Sequence, residues 1–461
     1  MNNDFDLSSA SNVVVLDLTH AGIIIAQKLA ELGFNVMAVD VYKTVDDDTL
    51  KLLESQYGIK TSKLAISVDN FDVIISPVHL DPEYDMLVSA RNSGKNIISH
   101  HKILGMILHH NTKFQDMKII EITGSKAKTS SASILADMLS REMVVLLHTS
   151  RGLEIWRNGI AEKIYSGLSI APCSILLALD EFESTGIDVD CCIFEVSIGG
   201  TGIGDIGIIT TLEPDYGIAK SSSFASDAKL QMIEYAKSDA TMILNANDEK
   251  AIKRAEELGR NIITFTDSNN LAADIQVRLD GKVVSLISKD ASIDSIINSF
   301  YNAFSYTTAF VVSGAVALNM GIDPNTISDV ISGFIGLAGR MQESELNGRV
   351  LIDNSNSGMD IKSAEKSLDH GRSKIASESK IIMVLGEEAE QVCEGLPPEN
   401  VQEFVRRRKP EINKLILVGE RMRDIAYDGA IYSPDTGSGL EEAMELSSKG
   451  DLIISCVKCF R

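Results

Sequence analysis

The stretch Glu121-Ile122-Thr123-Gly124-Ser125-Lys126-Ala127-Lys128-Thr129-Ser130 constrains this chain more than any other. An apolar strand from Met117 to Thr123 runs into a Gly/Ser/Lys turn, and a helix starts near Lys128. Backbone N–H groups at such a helix start face anionic oxygens, a lysine reaches terminal phosphates, and the next hydroxyl can hold Mg²⁺. Gly124, Ser125, Lys126, Ala127, Lys128, Thr129 and Ser130 are therefore the candidate ATP-binding residues, with Thr129 at the metal. Ala127 stands where these loops usually carry glycine, and its Cβ is costly if φ is positive. The alternative for the same residues is a Ser/Lys-rich helix cap. A second strand, Cys191 to Ser197, delivers Glu195 at its end, where α/β sheets place ligands; an acid there can share Mg²⁺ with Thr129.

Strand and helix patterns alternate along the whole chain, so the fold class is α/β. Strands at Val13–Leu18, Phe34–Val41, Asp72–Val78 and Asn96–His101 predict a small Rossmann-like domain over residues 1–115. A central domain over 116–334 carries the phosphate loop and closes with a buried apolar helix from Thr308 to Met320. A third α/β domain, 335–461, has strands at Arg349–Asp353, Ile381–Gly386, Lys414–Gly419 and Asp451–Cys456. The first turn, Asp17 to Gly22, supplies one glycine where a dinucleotide fingerprint needs three, and Asp40 reads as a solvated strand end rather than a ribose ligand. With 43 basic against 65 acidic residues the net charge is -22, which excludes nucleic acid as a bulk partner. No secretory signal and no membrane-length apolar run is present, and Cys191 and Cys192 read as core thiols, so the expectation is a cytoplasmic protein with no membrane partner. Cys456 and Cys459 read as a strand-end pair, not a zinc site. The charge runs Asp40–Asp48 and Val405–Lys409 read as solvated faces.

In chain order these motifs resemble the Mur ligase family, ATP-dependent enzymes that activate a carboxylate as an acyl phosphate. GSKAKTS is similar to the family's phosphate loop, the SIAPCSIL segment around Pro172 to its T-T-P segment, and FEVSIGG at Glu195 to its metal-binding stretch. Ile208–Tyr216 and Ala228–Glu249 are similar to the segments that follow. The resemblance implies a three-domain architecture with a Rossmann-like first domain, a P-loop ATPase centre and a Rossmann-like third domain. It also implies catalytic roles for Lys128, Glu195 and Lys229, the last as a carbamoylated metal-side residue. Arg340, in GRMQ, and Asp353, in LIDNSNSG, are implied nucleotide contacts. Tyr216 replaces a metal-binding histidine, leaving Asp215 or Tyr216 as the candidate ligand there; Thr308 and Asn356 are further departures.

The opening D-L-T-H-x-G with VDVY after the second strand looks like the divergent branch of the family that makes coenzyme F(430). That likeness implies ATP and Mg²⁺ as cofactors and a small nickel tetrapyrrole as substrate, the nickel belonging to the substrate alone. The reaction implied is carbon–carbon ring closure of 15,17(3)-seco-F(430)-17(3)-acid with release of ADP and phosphate. Candidate substrate contacts are His20, His79, His100, His101, His148 and Arg151, each equally readable as an ordinary surface or core residue. Two rival functions stay open: an amide-forming ligase that joins an amine to a carboxylate, and a non-catalytic nucleotide-binding regulator.

Overall fold

A computed structural model of the chain describes residues 10–109, 117–268, 271–289, 291–388, 396–425 and 429–459. The protein is α/β, with three principal sheets. It divides into two compact units: residues 1–277, 286–293 and 308–327 form the first, and 278–285, 294–307 and 328–461 the second.

In the first unit, five parallel strands run in the order Lys60–Ser62, Asn35–Val39, Asn12–Leu16, Val73–Ser76, Asn96–Ser99. Their near-continuous apolar runs suit a sheet covered on both faces, and Val13 to Leu16 are fully buried. Strand order reverses between Asn12–Leu16 and Val73–Ser76, so the crevice at the carboxyl ends of these two strands is a ligand position. Two expectations are corrected here. The strand expected to reach His101 stops at Ser99, whose Oγ accepts from the Lys102 amide at 3.1 Å and starts the helix His100–His109. Ile103, Leu104, Ile107 and Leu108 are the buried stripe of that helix, a 3.6-residue period. Asp40 is fully buried, not solvated; its carboxylate accepts from the amides of Thr44 and Val45 at 3.3 and 3.0 Å and closes the loop behind its strand.

The second sheet has eleven strands, in the order Ser292–Ile296, Val283–Ser288, Ile275–Asp280, Asn261–Thr266, Thr241–Asn245, Ile206–Ile209, Lys118–Thr123, Cys191–Glu195, Val145–Thr149, Gly152–Arg157, Ile160–Tyr165. Lys118–Thr123 lies between Ile206–Ile209 and Cys191–Glu195, parallel to both. Thr123, Glu195 and Thr210 therefore arrive at one edge. The five-stranded sheet and this one share a core: Val13, Ile25 and Leu104 pack in one cluster with Ile119, Leu146 and Phe194. Each such side chain contributes roughly 1.5–3 kcal/mol on burial. Gly105 allows the close approach, since a Cβ there would stand 2.1 Å from the Thr201 carbonyl oxygen. The expected apolar helix spans Thr307–Asn319, buried from Ala309 to Ala317, and Ser313 Oγ donates to the Ser131 carbonyl at 2.9 Å.

The second unit holds a six-stranded sheet in the order Gln342–Leu346, Arg349–Asp353, Leu452–Lys458, Ile381–Glu387, Lys414–Val418, Ile431–Ser433, parallel except for the first pair. Cys456 and Cys459 are buried without a disulfide, like the other described cysteines, and no described group of His, Cys, Asp and Glu forms a metal cluster. The run Val405–Lys409 is only partly solvated: Val405 joins the core, and Arg408 pairs with Asp369 and Glu411. Among the described residues no helix is long and apolar enough to cross a membrane.

Candidate functional site

The loop between Thr123 and Lys128 is shaped by two unusual backbone positions. Gly124 has φ 144°, and a Cβ there would lie 2.0 Å from Thr210 Oγ1. Ala127 takes φ 65°, ψ -1°, the left-handed conformation usually left to glycine, so the expected strain is present. The loop is clamped from the neighbouring strand: Thr210 Oγ1 donates to the Lys126 carbonyl at 2.6 Å, and the Ser125 amide donates to the Thr211 carbonyl at 2.7 Å. The helix Lys128–Ser140 then begins directly at the turn, with Thr129 and Ser130 buried in its first turn. The first-turn amides and the positive dipole end of a helix make an anion site. Lys128 Nζ donates to the Gly124 carbonyl at 2.9 Å, which folds the lysine back over the loop.

Thr129 and Glu195 meet as the sequence suggests. Thr129 Oγ1 lies 2.8 and 3.0 Å from the two carboxylate oxygens of Glu195 and donates to them. Ser150, expected within the candidate substrate-contacting segment His148–Arg151 and not at the metal, completes the cluster: its amide donates to Glu195 Oε2 at 3.2 Å and its Oγ is 3.2 Å from Thr129 Oγ1. Its place comes from the pairing of Phe194 with His148 across adjacent parallel strands, which no local pattern reveals. All three side chains are buried at 9% exposure or less. Two hydroxyls and one carboxylate are hard oxygen donors, few enough to leave positions for water and phosphate, and this set fits Mg²⁺ rather than a softer ion.

Lys229 is 1% exposed, with Nζ 3.1 Å from Ser125 Oγ and 4.8 Å from the centre of the Tyr216 ring. The ring thus faces the lysine. Asp215 Oδ1 accepts from the amides of Tyr216 and Ser226, each at 2.9 Å. Burial pushes the Asp215 carboxyl up, but the Ser226 hydroxyl and amide, the Tyr216 amide and the charge of Lys229 together hold it below the ordinary carboxylate range. Asp248 supports the same loop by accepting from the Leu212 amide at 2.9 Å, and burial pushes it up to about 6.

The remaining candidates separate. Arg340 and Asp353 lie in the second unit, where Tyr306 Oη donates to the Arg340 carbonyl at 2.6 Å and Asp353 accepts from the Ser355 amide at 3.1 Å. Asn356 Nδ2 donates to the Gly339 carbonyl at 2.7 Å, bringing their two loops together. Thr308 donates to Asp267. His148 and Thr149 end a buried strand instead of following it, and His148 Nε2 is 3.1 Å from the Ser169 carbonyl. Arg151 pairs loosely with Glu154 at 3.9 Å. His100 and His101 are buried, with Nε2 atoms 3.0 and 2.9 Å from the carbonyls of Leu16 and Ser197. Burial pushes His100 down to about 3, and His101 and His148 to about 4. His79 is half-buried beside Asp17. His20 lies in the π-helical turn Leu18–Gly22, but its side chain is outside the described residues.

Comparison with known proteins gives this geometry a context. Residues 122–307 match the Mur ligase middle domain, and residues 343–459 match the C-terminal domain of the coenzyme F430 synthetase CfbE. The coenzyme F(430) synthetase of Methanosarcina acetivorans is 49% identical over 467 residues, covering 97% of this chain and 98% of the relative. That of Methanocaldococcus jannaschii is 22% identical across 92% of this chain and 95% of its own length. Among solved structures, MurF ligase from Thermotoga maritima in complex with ADP aligns over 93% of this chain and 92% of its own, with TM-score 0.56 and 14% identity.

Proposed function

The chain belongs to the coenzyme F(430) synthetase family within the Mur ligases, and we propose that it closes a carbocyclic ring of a nickel tetrapyrrole by carbon–carbon bond formation at an ATP-activated carboxylate. It is an ATP-dependent ligase. The observation that carries the substrate reading is the near-full-length likeness to the Methanosarcina acetivorans coenzyme F(430) synthetase, which extends through the first sheet as well as the nucleotide loop.

The site residues supply the chemistry of carboxylate activation. The amides at the start of Lys128–Ser140 and the Lys128 ammonium bind and orient the phosphates, and Lys128 offsets charge on the transferred phosphoryl group. Thr129, Glu195 and Ser150 would hold Mg²⁺, whose chemistry is to neutralise charge between the phosphates. Lys229, whose Nζ is 3.1 Å from Ser125 Oγ, borders the same loop and is proposed as the carbamoylated metal-side residue that the family likeness implies. The substrate carboxylate takes the terminal phosphoryl group, a carbon of the same macrocycle attacks the acyl carbon, and phosphate leaves. With nucleophile and electrophile in one molecule, orientation replaces a second substrate site. Arg340 and Asp353 are proposed as nucleotide contacts of the second unit, and the cytoplasm as the compartment.

The experiment is phosphate release from Mg-ATP with the nickel seco-acid, in the presence and absence of added amines. Release without amine supports the ring-closing ligase. Release that requires an amino acid or amine would instead make the chain an amide-forming member of the same family.

A further inference from the structure

Carbon–carbon closure requires that the attacking carbon lose a proton, and the groups around the phosphate loop are arranged for phosphoryl transfer, not for that task. Resting on the ring-closing reading, we propose that His79 is the base that takes this proton and that Asp17 is its positioning residue.

The assignment starts from topology. Asp17 directly follows the strand Asn12–Leu16, and His79 follows Val73–Ser76; these are the two strands between which the order of the five-stranded sheet reverses. The crevice at their carboxyl ends is where an open α/β sheet receives a ligand. Asp17 is fully buried and held at φ 68°, ψ 95°, a conformation that non-glycine residues rarely adopt. Strain of this kind persists only where surrounding structure enforces it and is concentrated at functional sites. Its Oδ1 accepts from the Thr19 amide at 3.0 Å, and its Oδ2 stands 3.5 Å from His79 Nε2. The His79 side chain is 29% exposed although Nε2 itself is buried, so the accessible part of the ring is the edge away from Asp17. A buried carboxylate behind one ring nitrogen fixes the ring and stabilises the imidazolium that forms when the other nitrogen takes a proton.

His79 is also tied to the phosphate site from both sides. Val78 packs on the cluster of Ile218, Ala219, Ala225 and Ala228, together with Ile198 and Tyr216. Ile198 lies three residues beyond Glu195, and the Tyr216 ring faces Lys229. Asp81 pairs with Lys220 at 2.6 Å, on a turn whose residues Ala219, Lys220 and Ser221 all have positive φ. The loop carrying His79 is thus pinned at Val78 and at Asp81 to the hairpin that leaves Tyr216. In the step itself, the carbon–hydrogen bond gives its proton to His79, its electron pair forms the bond to the acyl carbon, and the carbon–oxygen bond to phosphate breaks. The proton then passes to solvent.

The test separates activation from closure. With wild type and the His79→Gln and His79→Ala variants, acyl phosphate is trapped as a hydroxamate with hydroxylamine, and ring closure is followed by product mass. The proposal expects hydroxamate formation within about twofold of wild type, which also shows that the variants fold, and closure reduced about 10²–10⁴-fold. Closure at the wild-type rate would overturn it, as would parallel loss of hydroxamate and closure, which would place His79 in binding or folding. Asp17→Asn should lower closure about tenfold or more with hydroxamate formation unchanged, and the conservative Asp17→Glu should restore part of the closure. Closure by Asp17→Asn at the wild-type rate would remove Asp17 from the assignment. If wild type itself forms hydroxamate but never closes the ring, the reading of the substrate fails, independently of His79.

Discussion

Ala127 shows how far one residue can depart from a pattern without losing the structure the pattern encodes. Its left-handed backbone is the one a glycine would adopt, so the loop keeps its shape and the Cβ carries the strain. Relief of that strain, partly offset by the greater freedom of glycine in the unfolded chain, predicts that Ala127→Gly stabilises the protein by about 0.5–1 kcal/mol. A urea midpoint that rises with unchanged slope would agree; a fall would mean that the side chain makes a contact worth more than the strain. Glu195 is the reverse case, a residue whose identity matters more than its packing. Glu195→Gln preserves shape but removes the charge opposite Thr129, and ADP release should fall about 100-fold or more while the urea midpoint changes little. Turnover near wild type would take Glu195 out of the metal site.

Among the elements, the strand Lys118–Thr123 does more than deliver the phosphate loop. Glu121, in its middle, is 1% exposed and accepts from the Thr201 amide and hydroxyl at 2.9 and 2.7 Å and from the amides of Gly202 and Gly204 at 3.0 and 3.2 Å. It fixes the glycine-rich loop that follows Glu195, onto which the helix His100–His109 packs at Gly105. Removing the acceptor strands several buried donors, so Glu121→Ala should destabilise by about 3 kcal/mol or more, with Glu121→Gln intermediate. Chemical denaturation of both variants checks this, and equal stability of wild type and Glu121→Ala would show that the loop is held by its packing alone. The charge was visible in the sequence as a glutamate inside an apolar strand, yet its partners eighty residues away were not. The same distinction runs through the site. Thr129 and Glu195 were legible because strand ends and helix starts have local signals. Ser150 was not, because only strand adjacency puts it there, and Asp17 with His79 depends on where the sheet order reverses. The helix at His100 could have been found from Ser99 as its cap and the 3.6-residue stripe that follows; the apolar start of the segment made it resemble a longer strand.

At the scale of the whole molecule, three buried neutral histidines couple folding to pH. His100, His101 and His148 are pushed down to about 3, 4 and 4 by burial, whereas in the unfolded chain each takes up its proton near its ordinary value of 6.5. Between those values the unfolded state binds more protons than the folded one. Stability is therefore fully present above pH 6.5 and is lost as pH falls toward 4, by up to about 1.4 kcal/mol per pH unit for each histidine. Urea midpoints measured from pH 7 to 5 should drop steeply, and His148→Gln should flatten the drop; parallel curves for wild type and variant would contradict the burial of a neutral imidazole. Acid loss of activity near pH 5 would then reflect unfolding as well as chemistry.

The most direct measurement of the central claim uses the nickel seco-acid labelled with ¹⁸O in its carboxyl groups, incubated with Mg-ATP and no amine. The account predicts that one labelled oxygen appears in inorganic phosphate for each tetrapyrrole that loses one water, with equal ADP. Phosphate released without label, or labelled phosphate with a tetrapyrrole that has lost no water and has only exchanged one ¹⁸O for ¹⁶O, would contradict activation of a carboxylate for ring closure.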